Sequence, residues 1–151
     1  MIFFLKQITA CLLGEEIHPL WLTEIYGESE REVAKVALQK ASGYQTVAYL
    51  DPFDNLSPGI FPDLVLKPNS IEQAIAMSLE MLKTPVIKLL IVDSLFLLPS
   101  KKTSFEESLT KLVQAAEYAQ KPVFLLNPDN RSRKLLEKTL KSFCSSQIWV
   151  R

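Results

Sequence analysis

The first stretch of this chain whose residue types and spacing could do chemistry is Leu22-Thr-Glu-Ile-Tyr-Gly27-Glu-Ser-Glu-Arg-Glu-Val-Ala34. An apolar segment runs into a glycine and then into a helical pattern, which is where a phosphate-binding loop would begin. Such a loop has the spacing G-x-x-x-x-G-K-[ST]. Its glycines let backbone N–H groups surround the phosphates, its lysine supplies charge, and its hydroxyl holds magnesium. Counting from Gly27, the second glycine falls on Glu32, the lysine on Val33 and the hydroxyl on Ala34. In their place Ser29 and Glu32 have the S-x-x-E spacing of a capping box, in which each side chain satisfies a backbone N–H of the helix start. Glu28, Glu30 and Glu32 also set negative charge at the positive end of the helix dipole. The donors and field that would hold a phosphate are satisfied from within the chain. The segment therefore reads as a capped helix start, and no cofactor is expected.

Other constellations are sparser. His18, the one histidine, stands beside Pro19, with no serine or cysteine in a nucleophile motif. Asp51, Asp54 and Asp63 flank a Pro-rich loop, where aspartates usually serve turns. Cys11 and Cys144 lie in apolar surroundings without metal-ligand spacing, so buried reduced thiols are expected rather than a disulfide, and no metal. Arg131, Lys134, Lys138 and Lys141 recur at helical spacing on one stripe, which Arg133 and the pair Lys101-Lys102 could extend. The plainer reading is a solvated helix face moderated by Glu137; four cations hold a nucleic-acid backbone only weakly at physiological salt. Trp149, alternating with Gln147 and Arg151 opposite Ile148 and Val150, suggests a half-exposed edge strand. Trp and Arg are typical anchors of protein interfaces.

The elements that must position these residues alternate. Strands are predicted over residues 20–26, 46–50, Leu64–Leu66, 88–93, 122–126 and Ser146–Val150. Helices are predicted over Glu30–Ala41, Ile71–Lys83, a segment from Phe105 to Ala116 and a short basic stretch 131–141. Residues 53–62, rich in Pro, Gly and Asn, read as loop. The run Lys88-Leu-Leu-Ile-Val-Asp93 is mostly branched and bounded by polar residues, as suits a strand buried on both faces. Strand–helix alternation implies right-handed βαβ crossovers and a mainly parallel sheet with helices on both faces. The apolar start, residues 1–13, is interrupted by Lys6, followed by Glu15-Glu16 and too short to span a bilayer. It reads as a core-packing helix of a cytoplasmic protein with no membrane attachment.

With 151 residues the chain has the size of one domain, and no repeat or linker divides it. At 48% hydrophobic and 23% charged it is globular in composition. Its 17 basic and 17 acidic residues balance to zero, which excludes a generally basic nucleic-acid binder.

Several segments in order carry a resemblance. Glu24-Ile-Tyr-Gly27 precedes a helix and then Tyr49-Leu-Asp51. Leu66-Lys-Pro-Asn-Ser-Ile-Glu-Gln-Ala74, Leu90-Ile-Val-Asp-Ser94 and Val123-Phe-Leu-Leu-Asn127 follow. This order resembles the core of the RecA/RadA recombinase family over nearly the whole chain. The resemblance implies a three-layer RecA-like fold of the P-loop NTPase type, as a single domain over Met1–Arg151. It also locates the departures. Gly27, Glu32, Val33 and Ala34 take the phosphate-loop positions, and the family's catalytic Glu falls on Phe53. Asp93 and Ser94 match the magnesium-site pair, but a lone carboxylate without phosphates is a poor magnesium site, so Asp93 is expected to cap nearby backbone donors. Asn127 matches, whereas the sensing Gln that follows it is Pro128. Both DNA-contacting loops look shortened, to residues 99–104 and 128–132, and the N-terminal arm that links neighbours has no counterpart. The resemblance thus implies a pseudo-ATPase acting as a protein-binding accessory, plausible in DNA repair, recombination or the SOS response. The alternatives are a DNA-binding accessory using the basic stripe, a SulA-type division inhibitor, and a nucleotide-binding enzyme with an unusual site.

Overall fold

A computed structural model describes residues 21–56, 62–129 and 133–151. The expectations for residues 1–13, Cys11, His18 and Arg131 lie outside the described residues, as does part of the loop after Phe53.

Six strands form one sheet: β1 (Leu22–Gly27), β2 (Val47–Leu50), β3 (Leu64–Leu66), β4 (Leu89–Asp93), β5 (Val123–Asn127) and β6 (Ser146–Val150). Their order is β3-β2-β4-β5-β1-β6, and every pairing is parallel. Among the described residues, four helices make the crossovers: α1 (Glu30–Ala41), α2 (Ile71–Lys83), α3 (Phe105–Ala119) and α4 (Glu137–Phe143). A right-handed crossover puts its helix on a face set by the direction of travel across the sheet. The step from β1 to β2 runs one way and carries α1. The steps into β4, β5 and β6 run the other way and carry α2, α3 and α4. Hence, among the described helices, α1 takes one face, where Val33, Ala37 and Ala41 pack on Ile25, Tyr49, Ile91 and Leu126. The opposite face buries Leu50, Leu90, Val92 and Leu125 under Ile75, Leu82, Leu109, Leu112 and Leu140.

β2, β4 and β5 are buried at every position, as their unalternating apolar sequences require. α1, α2 and α3 start where a serine caps them. Ser29, Ser70 and Ser104 accept from the N–H of Glu32, Gln73 and Glu107 at 3.4, 3.1 and 3.1 Å. Gln73 Oε1 also accepts from the Asn69 N–H at 2.6 Å, just before the cap.

One boundary agrees with the sequence reading and one differs. The apolar stretch around β4 ends as strand at Asp93; Ser94 turns left-handed (φ 56°) and a 3-10 turn follows at Leu95–Leu97. The basic helix expected over 131–141 is broken. Leu136 leaves helical geometry at φ −112°, ψ 8°, and the continuous helix is Glu137–Phe143. Lys134 therefore lies before the break, on a different segment from Lys138 and Lys141.

Candidate functional site

Open parallel sheets present their functional groups beyond the carboxyl ends of the strands. At the ends of β2 and β4, on the face covered by α1, Tyr49, Asp51, Asn55, Asp93 and Ser94 meet. Asp93 is 1% exposed. Its Oδ2 accepts from the Tyr49 hydroxyl at 2.8 Å and the Asn55 Nδ2 at 3.2 Å, and its Oδ1 accepts from the Ser94 hydroxyl at 2.7 Å. These are side-chain donors, which corrects the expectation that Asp93 caps backbone N–H groups. That role belongs to Asp51, whose two oxygens accept from the Asn55 and Leu56 N–H groups at 2.8 and 3.1 Å. Burial pushes the Asp93 carboxyl up to about 6, against the pull of its three hydrogen bonds and with a smaller push from Asp51. Burial, with the Asp93 charge behind it, raises the Tyr49 phenol well above its ordinary value.

The positions that the resemblance matches to a phosphate loop hold residues engaged within the fold. Val33 and Ala34 are buried against the sheet, and Ser29 caps α1 with Glu30 and Glu32 in its first turn. A Cβ on Gly27 would stand 2.5 Å from the Val150 carbonyl oxygen and 3.2 Å from Val33 Cγ2. Gly27 thus serves the close approach of β1, β6 and α1. Phe53 is half exposed in the loop after β2. Among the described residues, no group of three His, Cys, Asp or Glu side chains stands together as a metal site.

A second polar cluster occupies the opposite face, under β1, β5 and β6. Glu24 is fully buried. Arg133 grips it with two parallel bonds, Nε to Oε2 and Nη2 to Oε1, each 2.8 Å. Asn127 Nδ2 donates to Oε2 at 2.6 Å and Gln147 Nε2 to Oε1 at 2.8 Å. The Arg133 guanidinium also lies 3.6 Å over the Tyr26 ring, and that ring packs on Trp149 with centroids 5.2 Å apart. Arg133 is 4% exposed, so it is a core ion pair and adds nothing to a basic surface, contrary to the sequence reading. Trp149 is 43% exposed on β6, an edge strand. Lys134, Lys138 and Lys141 are exposed, with Lys141 near Glu137 at 3.9 Å. Cys144 is a half-buried free thiol whose pKa is pushed up to about 12 by burial and by Glu24, which disfavours the thiolate.

Sequence reasoning missed both Glu24 and Glu72. Glu72 Oε1 accepts from the Ser100 hydroxyl and from the N–H groups of Lys101 and Lys102 at 2.9, 2.7 and 3.1 Å. It fastens the loop before α3 to the start of α2. The signal available for Glu24 was a carboxylate inside the apolar run of β1, which demands a partner without naming one.

The strand order and the described helices on both faces of the all-parallel sheet match a RecA-like α/β fold. The chain is similar to the crystal structure of the RadB recombinase, with 21% sequence identity and a TM-score of 0.58 over 90% of this chain and 76% of that one. No protein-family profile matches the sequence. No curated protein matches it either. Among the described residues, no helix is long and apolar enough to cross a membrane.

Proposed function

We propose that this chain is a RecA-like protein that neither binds nor hydrolyses ATP and acts by binding another protein, in DNA repair or recombination. The observation that carries the reading is the internal saturation of the nucleotide-site positions. Ser29 caps α1, and Glu30 and Glu32 place negative charge where a phosphate would sit. Asp93, at the magnesium position, already accepts three side-chain hydrogen bonds. An incoming phosphate would meet the repulsion of Glu30 and Glu32 at a helix start whose Glu32 N–H is already taken by Ser29. The setting in repair rests on likeness to a structure described as a recombinase. Trp149, half exposed on an edge strand and backed by Tyr26 and Arg133, is the side chain we assign to the partner contact.

The test is ATP turnover with magnesium, with and without single- and double-stranded DNA. Background rates in all three conditions are expected. Magnesium-dependent hydrolysis that disappears in Asp93→Asn would overturn the reading.

A further inference from the structure

A separate surface lies between α2 and α3, at their carboxyl ends and away from the nucleotide-site positions. It is an open groove of about 670 Å³. Leu79 and Leu82 of α2 and Ala115 and Ala119 of α3 floor it, and Tyr118 walls it. Tyr118 is 93% exposed, an aromatic ring held almost wholly in water. Lys83, Lys111 and Lys121 line the groove, and none of the described lining residues is acidic.

The three lysines are not equivalent. The Lys121 ammonium donates to the Leu82 and Thr84 carbonyls at 2.9 and 2.7 Å, so it closes the end of α2. Lys83 and Lys111 are exposed. In a chain of zero net charge, this concentration of one sign over an apolar floor is a local asymmetry. Its counterpart is the acidic start of α1 on the other face of the sheet. An apolar trough with a cationic rim is complementary to a segment with apolar anchors and acidic flanks.

We infer that the α2–α3 groove is a docking site for an acidic amphipathic peptide segment of a partner protein, with its apolar side chains on Leu79, Leu82 and Ala115 and its carboxylates at Lys83 and Lys111. The inference goes beyond the inactive nucleotide site and does not depend on it. ATP binding would remove the first proposal and leave this one standing.

The experiment uses a library of random 16-residue peptides displayed on phage, selected against the full chain. Enriched peptides are then synthesised and their affinities measured by fluorescence anisotropy. Enrichment of apolar anchors flanked by Asp or Glu is expected, with affinity falling tenfold or more in the pair Lys83→Glu and Lys111→Glu. The same charge change at Lys134 and Lys138 should weaken binding less than twofold. Should the first pair melt below the parent, Tyr118→Ala gives the same reading at an exposed side chain, with an expected loss of fivefold or more. No enrichment, enriched peptides without acidic residues, or equal losses in the two lysine pairs would each overturn the proposal. So would either of two other occupants. One is a dimer in the ultracentrifuge that Lys83→Glu and Lys111→Glu abolish; the other is duplex DNA that competes with the peptide at the same lysines.

Discussion

At the scale of single residues, four positions carry most of the argument. Glu24 and Arg133 are a buried pair whose charges leave water only because each has the other, with Asn127 and Gln147 filling the remaining acceptor sites on the carboxylate. Removing one partner strands the other. Arg133→Met is expected to cost about 3–5 kcal/mol in urea unfolding, and Glu24→Leu added to it should recover a large part of that loss. Asp93 makes a prediction in pH. Its folded value of about 6 stands above its ordinary 3.8, so the folded state binds the proton more tightly than the unfolded chain. The stability it contributes is present below pH 3.8 and is lost as pH rises through 6, by about 3 kcal/mol at 1.36 kcal/mol per pH unit. In Asp93→Asn that slope between pH 4 and 6 should vanish from the unfolding free energy. Glu72 acts with the opposite sign. Backbone N–H donors, Lys102 first, hold its carboxyl down at about 2, so its contribution is kept above its ordinary 4.5 and lost as pH falls toward 2.

At the scale of elements, Gly27 decides whether β6 can close on β1. Gly27→Ala drives a methyl group into the Val150 carbonyl, a backbone atom that cannot swing aside. The expected loss is about 1–3 kcal/mol by urea unfolding, with a change in Trp fluorescence, since Trp149 sits one residue away on the same strand. Much of this level was legible in the sequence. Lys88-Leu-Leu-Ile-Val-Asp93 announced a doubly buried strand, and the S-x-x-E spacing at Ser29 announced the start of α1. Contacts between distant residues were not legible. Arg133 read as surface charge because nothing local marks a partner 109 positions earlier in the chain. The break at Leu136 was equally hidden, since the sequence there is continuously helical in spacing and its φ of −112° appears only in the folded chain. That break separates Lys134 from Lys138, which weakens any DNA grip. A four-phosphate contact would give a salt slope near −3.6 on duplex DNA. A gel shift is expected to find no such binding at low micromolar protein.

At the scale of the whole molecule, the sheet order and the packing of helices on both faces are those of a RecA-like fold, and Val33, Ala34 and Asp93 are buried within it. The fold was readable because an ordered series of weak segments constrains topology more than any one of them does. At the positions the resemblance matches to a nucleotide site, the sequence offered only residue types, in Glu32, Val33, Ala34 and Phe53. The cluster in which Tyr49, Asn55 and Ser94 hold Asp93 required the three-dimensional arrangement. The central claim is that the chain has no ATP site, and titration calorimetry of the full chain with ATP and magnesium tests it most directly. The account predicts no heat of binding up to millimolar nucleotide. A saturable isotherm with a Kd below about 100 μM, roughly −5.5 kcal/mol, would contradict it.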